Sequence, residues 1–550
     1  MHRLRTVRLA ALLLGLAMVA AACGGGDEDT GGTGTEAQIK EGGTLNYAAD
    51  QEQAGFNINT SKDTLAALQN IVVNIYPSAF LVHPDFTVKM NTNFLESAEL
   101  TSQDPQTVVY KIKQDLIWSD GTPVSVDDFT YMWENCNGKK EGADCASNTG
   151  YEDIKSVTGS DGCKTVTTVY QKKFADWQSL FENVLPSHYV KAQKGGWNTG
   201  LDKNPEKIPS AGPFVVSNYT PGQSLTLKRN DKYTGQKAHL DQIVYRFLPE
   251  STTQPAALQN NEADMMYGQP QVDQVKIVEG IPDVTSKISF GLSNEHLDFN
   301  FKNPLLADAA VRKAFATGLN LQQIVDRTVK QFSDKAQPLG NHLWVNNQPE
   351  YQDNTGSYGK GDVAAAEKLL QDAGYTKGSD GIYAKGGKKL SFNISTTSGN
   401  ALREAQEQLI QSQAKQFGME IKIKNAEADV LFSEWWAQGN FDIINFGWVS
   451  APFFADWQDI FGTGGGQNHQ NYSNPKVDEL FKQGVAELDR NKMVEISQQI
   501  DQLLWEDMAT LPLYQKPNFL AYRNTFVGID ENASDTGPFW NAGTWAAKAA

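Results

Sequence analysis

The sequence predicts an α/β protein with at least two lobes. Its 550 residues exceed what one hydrophobic core usually supports, so we expect the chain to divide. Helix patterns alternate with short strand patterns in the second half, and strand-like segments near Gly291 and Leu511 carry the chain between the two halves. Apolar residues make up 40% and charged residues 21%, as in an ordinary globular protein. A formal net charge of −17 argues against a nucleic-acid partner, whose phosphates need a basic face.

Residues 1–22 have the composition of an export signal. Basic residues precede an apolar run, Leu9–Ala22, which is too short to span a bilayer. Cys23 follows, and the arrangement resembles a bacterial lipoprotein signal, in which the cysteine becomes the lipidated first residue. Residues 23–42 would then be a flexible tether to the membrane. The alternative is a signal without lipid, cut at an A-x-A site, because Ala20 stands where lipoproteins usually have leucine.

Three further cysteines, Cys136, Cys145 and Cys163, are disulfide candidates in an oxidising compartment. A bridge between Cys136 and Cys145 would close a small polar loop, and a bridge between Cys145 and Cys163 is its main rival. No C-x-x-C pair occurs, so a zinc ribbon or a thioredoxin-like motif is excluded. We expect these cysteines to be structural.

Local patterns predict each element of the first half in turn. Apolar residues recur at helical spacing in Asp63–Tyr76, and Ser125 caps a helix that reaches Asn135. Ser210–Tyr233 alternates apolar and polar residues around a Pro-Gly turn, which predicts a hairpin. Ser187–Ser210 is polar and interrupted by Gly and Pro, which predicts an exposed connection. The remaining predictions are strands at 43–50, Phe86–Lys89, Thr107–Lys111, 116–118 and Gln242–Leu248, a hairpin at Lys155–Tyr170, a helix at Ser251–Asn260 and a strand from Glu262.

The second half predicts helices and strands in alternation. Gly374 and Gly418 end two of the helices as C-terminal stops. The predicted helices are Asp308–Leu319, a second one from Leu321 to Val329, Asp362–Ala373, Ala401–Phe417, Val430–Gln438, Lys476–Leu488 and Lys492–Met508. The predicted strands are His296–Phe301, Leu390–Thr396, Glu420–Asn425, 442–446 and Leu511–Tyr514.

The segment Phe441–Phe454 combines a buried strand with an aromatic loop. Its apolar run ends at Gly447, and Trp448, Phe453 and Phe454 then stand on a stretch whose Ser and Pro residues predict a loop. Such rings either pack under a neighbouring element or line a cavity, and the local pattern leaves both open.

Catalytic and cofactor motifs are absent from the sequence. There is no G-x-S-x-G elbow, no H-E-x-x-H, no phosphate loop ending in Gly-Lys-Ser or Gly-Lys-Thr, and no G-x-G-x-x-G after a strand. The seven histidines are scattered singly and do not share a helix face. We therefore expect a protein that is not an enzyme and that uses no metal and no cofactor.

Seven fragments, in order along the chain, resemble one family. They are LIWSDGTPVSVDDFTYMWE, SAGPFVVSNYTPGQSLTLKRNDKY, NNEADMM, HLDFNFKNPLLADAAVRKAFATGLNLQQIV, AAAEKLLQDAGY, FDIINFGW and YSNPKVDELFKQG. Together they are similar to the peptide and nickel class of substrate-binding proteins of ABC importers.

That resemblance implies a two-lobed periplasmic-binding-protein-like α/β fold with the ligand cleft between the lobes. Residues 43–290 would form the first lobe, with an extra subdomain at about 80–200, residues 291–510 the second lobe, and residues 511–550 the return to the first. It also implies a peptide or small-molecule ligand, membrane permease subunits as partners, and a monomer anchored by lipid on the extracytoplasmic face of the cell membrane.

The resemblance also places the ligand site. It implies contacts from two loops, of which the first comprises Asp50, Gln51, Glu52 and Gln53, and the second Trp448, Val449, Ser450, Ala451, Phe453 and Phe454. Peptide-binding relatives present an Asp to the ligand's N-terminal ammonium, but here that position falls on or next to Ala451. Asp456 and Asp459 could replace it only in a reshaped loop; otherwise the aromatic residues favour an apolar or stacking ligand.

The resulting hypothesis is a lipid-anchored receptor that delivers a solute, with peptides as the first candidate, to an ABC importer. One alternative is a regulatory or scaffolding lipoprotein on the same fold. Others are a binder of a sugar or a metal chelate, and an extracytoplasmic hydrolase, which the missing motifs disfavour.

Overall fold

Ten strands form one mixed sheet that extends through both halves of the chain. The computed structural model describes residues 39–250, 252–428, 430–449 and 451–549, so the export signal, Cys23 and Ser450 lie outside the described residues. In spatial order the strands are Glu420–Ile423, Ser391–Ser395, Ile443–Val449, Val284–Phe299, Thr510–Arg523, Met265–Gly268, Thr44–Ala49, Gln242–Phe247, Ser224–Arg229 and Phe214–Thr220.

Two long central strands, Val284–Phe299 and Thr510–Arg523, connect the halves of this sheet. They pair antiparallel along most of their length, and the register shifts between Phe290 and Asn294. Gly291 lies at this irregularity, where a Cβ atom would collide with the carbonyl oxygen of Ala533. The two crossings predicted from the sequence coincide with these strands. The domain boundaries near residues 290 and 510 remain predictions from the sequence.

A separate hydrophobic core lies on each side of the crossing strands. The first core is built mainly from residues 45–247 and is completed by C-terminal side chains such as Phe539 and Trp545. The second core is built from residues 297–443 and is completed by Trp505 and residues 508–514. We call the parts around these cores the first and second lobes.

A four-stranded antiparallel sheet adds a subdomain to the first lobe. Its strands, in spatial order, are Leu95–Gln103, Gln106–Ile112, Thr165–Tyr170 and Ile154–Ser160. The helix Val126–Cys136 packs beside it, and Ser125 caps this helix in a capping box with Asp128. Cys136 is disulfide-bonded to Cys145, whereas Cys163 is free and exposed.

The remaining elements follow the sequence closely in the second lobe and less closely in the first. The other helices are Ala66–Val72, Ser187–Ala192, Gly196–Thr199, Thr253–Gln259, Val272–Glu279, Ala309–Gly318, Leu321–Arg327, Val363–Asp372, Ala401–Gln416, Asp456–Phe461, Pro475–Ala486 and Arg490–Asp507, with a π-helix at Val430–Trp436 and 3₁₀ turns at Trp177–Ser179, Pro205–Lys207, Val329–Gln331 and Gly537–Thr544. The short strands are Ile39–Lys40, Phe80–Val82, Val88–Met90, Thr376–Lys377, Tyr383–Lys385, Lys388–Lys389, Phe526–Val527 and Ala546–Lys548.

Two sequence expectations about the fold are wrong. The segment 116–118 is not a strand, because only Ile117 forms an isolated bridge, to Pro123. Ser187–Ser210 is not a simple exposed connection, because it contains two short helices and buries Val190, Trp197 and Leu201 in the first core. Over the part of the chain that is described, no helix is long and apolar enough to cross a membrane.

Candidate functional site

The strand Ile443–Val449 delivers the aromatic loop to the boundary between the lobes. Gly447 leaves room there for two charged side chains, since a Cβ atom would lie 2.8 Å from Cδ of Lys516 and 2.9 Å from Oε1 of Glu295. The next side chain, Trp448, stacks on His296 with ring centroids 5.8 Å apart and packs edge-on against Phe446 at 5.1 Å. Its indole Nε1 is buried and has no hydrogen-bond partner among the described residues.

The loop beyond Trp448 divides its side chains between cavity and core. Val449 is 59% exposed and lines a cavity of about 520 Å³. Ala451 and Phe453 line a smaller cavity beside it. Phe454 is fully buried in the second lobe, where its ring packs 5.4 Å from Phe481. The structure therefore brings Val449, Ala451 and Phe453 together at the cleft and places Phe454 in the core.

The first predicted loop follows the strand Thr44–Ala49. Asp50 and Gln51 are exposed. Glu52 accepts a hydrogen bond from the hydroxyl of Tyr219 at 2.7 Å and from the backbone N–H of Gly222 at 3.0 Å, so its carboxylate holds the neighbouring hairpin. Gln53 is only 4% exposed, and neither atom of its side-chain amide has a partner within the described chain. None of these four residues lines either cavity described above.

Glu182 and Asp535 line both cavities, and we call the larger one the acidic cavity. Its wall also includes Gln69, Asn183 and Val449. Burial and the nearby Asp535 carboxylate raise the pKa of Glu182, although the side-chain amide of Gln69 donates a hydrogen bond to it at 2.9 Å. Burial likewise raises the pKa of Asp535. Both carboxyl groups are therefore costly to ionise in the protein alone.

Asp456 adds a third carboxyl group to this region. It is the first residue of the helix Asp456–Phe461, where a negative charge is favourable. The residue is exposed to solvent, yet desolvation, followed by the carboxylates of Asp176, Asp459 and Asp535, raises the pKa of its carboxyl group to about 7. Asp456 thus joins a group of carboxylates that repel one another.

Hydrogen bonds connect the two lobes next to these cavities. The backbone N–H of Ala455 donates to the buried carboxylate of Asp176 at 2.8 Å, and the backbone N–H of Ala175 donates to the carbonyl oxygen of Val485 at 2.7 Å. A further cavity of about 330 Å³ lies along the same boundary, lined by residues 85–88 and 175–178 from the first lobe and 348–350, 452–453 and 487–493 from the second. The structure accordingly represents a conformation in which the lobes touch.

A buried ion cluster supports the strand behind Trp448. Arg403 donates to both oxygens of Glu295, with its shortest contact at 2.7 Å, and the ammonium of Lys516 lies 3.3 Å from the same carboxylate. Burial alone would raise the pKa of Glu295, but the two cations lower it to about 2. This cluster fixes the crossing strands where the aromatic loop begins.

Sequence reasoning missed Asp176, Glu182 and Asp535. Their positions in the chain are far apart, and no motif connects them. The local signal is that Glu182 and Asn183 interrupt an otherwise apolar segment, 180–185, because an acid among core residues is typically held for a specific contact.

A family profile and the sequences of individual relatives both match this chain to solute-binding proteins. The family profile described as "Bacterial extracellular solute-binding proteins, family 5 Middle" matches residues 89–468. The oligopeptide-binding protein OppA of Mycobacterium tuberculosis is 31% identical over 500 residues, covering 90% of this chain and 83% of OppA.

Two solved structures are similar along nearly the whole chain. The periplasmic EDTA-binding protein EppA superposes with a TM-score of 0.89 at 28% identity, covering 96% of this chain and 100% of EppA. The oligopeptide-binding protein AppA of Bacillus subtilis, in complex with a nonapeptide, superposes with a TM-score of 0.77 at 24% identity, covering 93% of this chain and 100% of AppA. The predicted two-lobed α/β fold with a cleft between the lobes is confirmed.

Proposed function

Because the chain belongs to the family 5 bacterial extracellular solute-binding proteins, we propose that it is a lipid-anchored receptor that captures a solute in the cleft and presents it to an ABC importer. Like its relatives, it is a binding protein and not an enzyme. The observation that carries the proposal is the set of cavities at the boundary of the lobes, next to the hydrogen bonds that join them.

Closure of the lobes is the mechanism that we propose for recognition. A ligand that touches both lobes stabilises the closed state by its differential affinity, whereas a ligand that touches one lobe does not shift the equilibrium. Val449 and Phe453 come from the second lobe, and Glu182 and Asp176 come from the first, so one ligand can contact both. The closed form would then be the one that the permease recognises.

Peptides or peptide-like molecules are the first ligand class in this proposal. OppA is named for oligopeptides, and AppA was solved with a nonapeptide. The alternative is a metal chelate, since EppA is named for EDTA. Half-buried aromatic rings such as Phe453 suit either a peptide side chain or another apolar group.

The lipid anchor and the location complete the proposal. The family places the protein outside the cytoplasm, and the sequence around Cys23 supports an anchor on that face of the membrane. Mass measurement of the membrane-extracted protein tests this. A mature chain that starts at an acylated Cys23 is expected, and an unmodified Cys23 or another start would refute it.

A ligand screen tests the receptor function. Purified protein is heated with peptide libraries, ferric EDTA and sugars, and a true ligand raises the melting temperature further as its concentration increases. Native mass spectrometry of the protein as isolated identifies a co-purified ligand in parallel. If none of these molecules binds by either measurement, the proposal fails.

A further inference from the structure

A cavity of about 420 Å³ lies within the first lobe, apart from the boundary between the lobes. The described residues that line it are drawn from 73–94, 211–236 and 530–544, all in the first lobe. The cavities of the cleft, in contrast, are closed by residues of the second lobe such as Val449 and Phe453. We call this space the first-lobe cavity. Small-molecule sites typically have volumes of about 300–1,000 Å³, and the receptor function proposed above makes no use of this one.

Aromatic rings form a large part of the wall of the first-lobe cavity. Tyr233 and Trp540 are half-buried, so part of each ring is accessible to a ligand. Trp540 packs against His83 with ring centroids 5.1 Å apart. Gly235 lies against the ring of Tyr233, where a Cβ atom would come within 2.5 Å of Cζ. These contacts hold the rings in place, so they offer fixed apolar surfaces on which a ring-shaped ligand can stack.

The wall of the first-lobe cavity carries little charge. Among the described residues that line it, Asp530 is the one acid; it is exposed, and it accepts a hydrogen bond from Nδ2 of Asn541 at 3.1 Å. Burial lowers the pKa of His83, so its imidazole is neutral at pH 7. Burial raises the pKa of Tyr233 to about 12, so its hydroxyl keeps its proton and can donate. Such a wall favours an uncharged ligand, because it offers an anion no cation and places one carboxylate beside it.

Polar side chains of two kinds complete the wall. Asn74 and Asn91 donate to backbone carbonyl oxygens at 3.3 Å and 3.0 Å, so their amides hold the wall together. Thr92, Asn93 and Gln236 also line the cavity but are exposed to solvent. Their hydroxyl and amide groups can exchange water for the donors and acceptors of a ligand.

We propose that the first-lobe cavity is a second binding site, separate from the cleft, for a neutral saccharide. The C–H face of a sugar ring stacks on Tyr233 or Trp540, and its hydroxyl groups bond to the amides of Asn93 and Gln236. The sugar is either a free oligosaccharide or the exposed end of a glycan in the cell envelope, since both present the same groups. This inference goes beyond the proposed receptor function and does not depend on it.

Saturation-transfer NMR and titration calorimetry on the full-length chain test the proposal. Glucose, mannose and galactose, as monomers and short oligomers, are the neutral probes, and their uronic acids are the charged counterparts. At least one neutral sugar is expected to bind, at least about tenfold more tightly than its uronic acid. Sedimentation with washed cell-wall polysaccharide then identifies an envelope glycan as the source, and binding in solution alone identifies a free sugar.

Variants locate the sugar within the molecule. Tyr233→Ala should weaken sugar binding at least about tenfold, and Gln236→Ala about three- to tenfold. Gln236 is exposed, so Gln236→Ala should leave the melting temperature unchanged, which separates lost binding from lost folding. Tyr189→Ala is the matched control, because Tyr189 is another half-buried tyrosine of the first lobe and does not line the cavity. Phe453→Ala, in the cleft, should also leave sugar binding unchanged.

Three results would overturn the inference. The first is that no neutral sugar binds the unaltered chain, and the second is that the uronic acids bind as tightly as the neutral sugars. The third is sugar binding that survives both Tyr233→Ala and Gln236→Ala, or that is lost in Phe453→Ala, because it would place the sugar in the cleft. None of these results would contradict a peptide receptor, whose ligand is tested separately.

Discussion

The hydrogen bond between Asp176 and Ala455 gives the sharpest test of lobe closure. It joins the lobes at 2.8 Å through a buried carboxylate, and Asp176→Ala removes the acceptor. A hydrogen bond to a charged group contributes about 1.5–3 kcal/mol, which would shift the ratio of closed to open protein by roughly 10- to 150-fold. Burial raises the pKa of Asp176, which means that desolvation of the carboxylate offsets part of the energy of this hydrogen bond. We therefore expect Asp176→Ala to lower ligand affinity about tenfold.

The same bond can be removed from the other side. Ala455 has φ −63°, which proline can adopt, so Ala455→Pro deletes the N–H donor with little strain at that residue. Titration calorimetry measures the affinity of each single variant and of the double variant, and small-angle scattering measures closure. The effects of the two changes should not add, because both remove one interaction.

Asp120→Ala is the control for this cycle. Asp120 makes a 2.7 Å contact with His188 inside the first lobe, so its loss should alter stability but not closure. If Asp176→Ala lowers ligand affinity no more than Asp120→Ala does, or if the double-variant effects are additive, the contact does not stabilise the closed state.

Three further predictions concern stability. Cys136→Ala opens the disulfide loop and should lower the free energy of unfolding in urea by about 2–3 kcal/mol, whereas Cys163→Ala should change it little. Glu295→Gln should cost about 3–5 kcal/mol at neutral pH because it leaves a buried guanidinium and ammonium without their partner. The stability from Glu295 is present above its ordinary pKa of 4.5 and should disappear as the pH falls through about 2. The pH dependence of stability from Glu182 runs in the opposite direction, because the pKa of its carboxyl group is raised by folding. Its contribution to stability is fully present below pH 4.5 and is lost as the pH rises. Glu182→Gln should therefore flatten the decline in melting temperature between pH 5 and pH 8.

Elements with a local signal were predictable from the sequence. The hairpin at Phe214–Arg229 is one, because its alternation and its Pro-Gly turn are contained in one short segment. The strand Ile443–Val449 is another, because a buried strand needs only a continuous apolar run before a turn. In such cases the neighbouring residues determine the structure.

Features that depend on distant partners were not predictable. In Ser187–Ser210 the buried residues are spaced without a helical or strand period, so the polar majority suggested an exposed connection. The family resemblance placed Phe454 at the cleft, but its ring is buried in the core against Gly484, where a larger residue would collide with it. The acidic cavity needs Glu182 and Asp535, which are far apart in the sequence and meet because the crossing strand Thr510–Arg523 returns the chain to the first lobe.

The acidic cavity explains how one backbone can serve ligands of different charge. A shared fold fixes the positions of the lobes, while the ligand is selected by the side chains that line the cleft. Like charges about 7 Å apart repel by roughly 2 kcal/mol at an effective dielectric constant of 20, so two ionised carboxylates would oppose an anionic chelate by several kcal/mol. Glu182 and Asp535 would exert this repulsion in their ionised forms, and even as neutral acids they offer an anion no compensating positive charge. We therefore expect this chain to bind an anionic chelate poorly, even though its backbone superposes closely on that of an EDTA-binding protein.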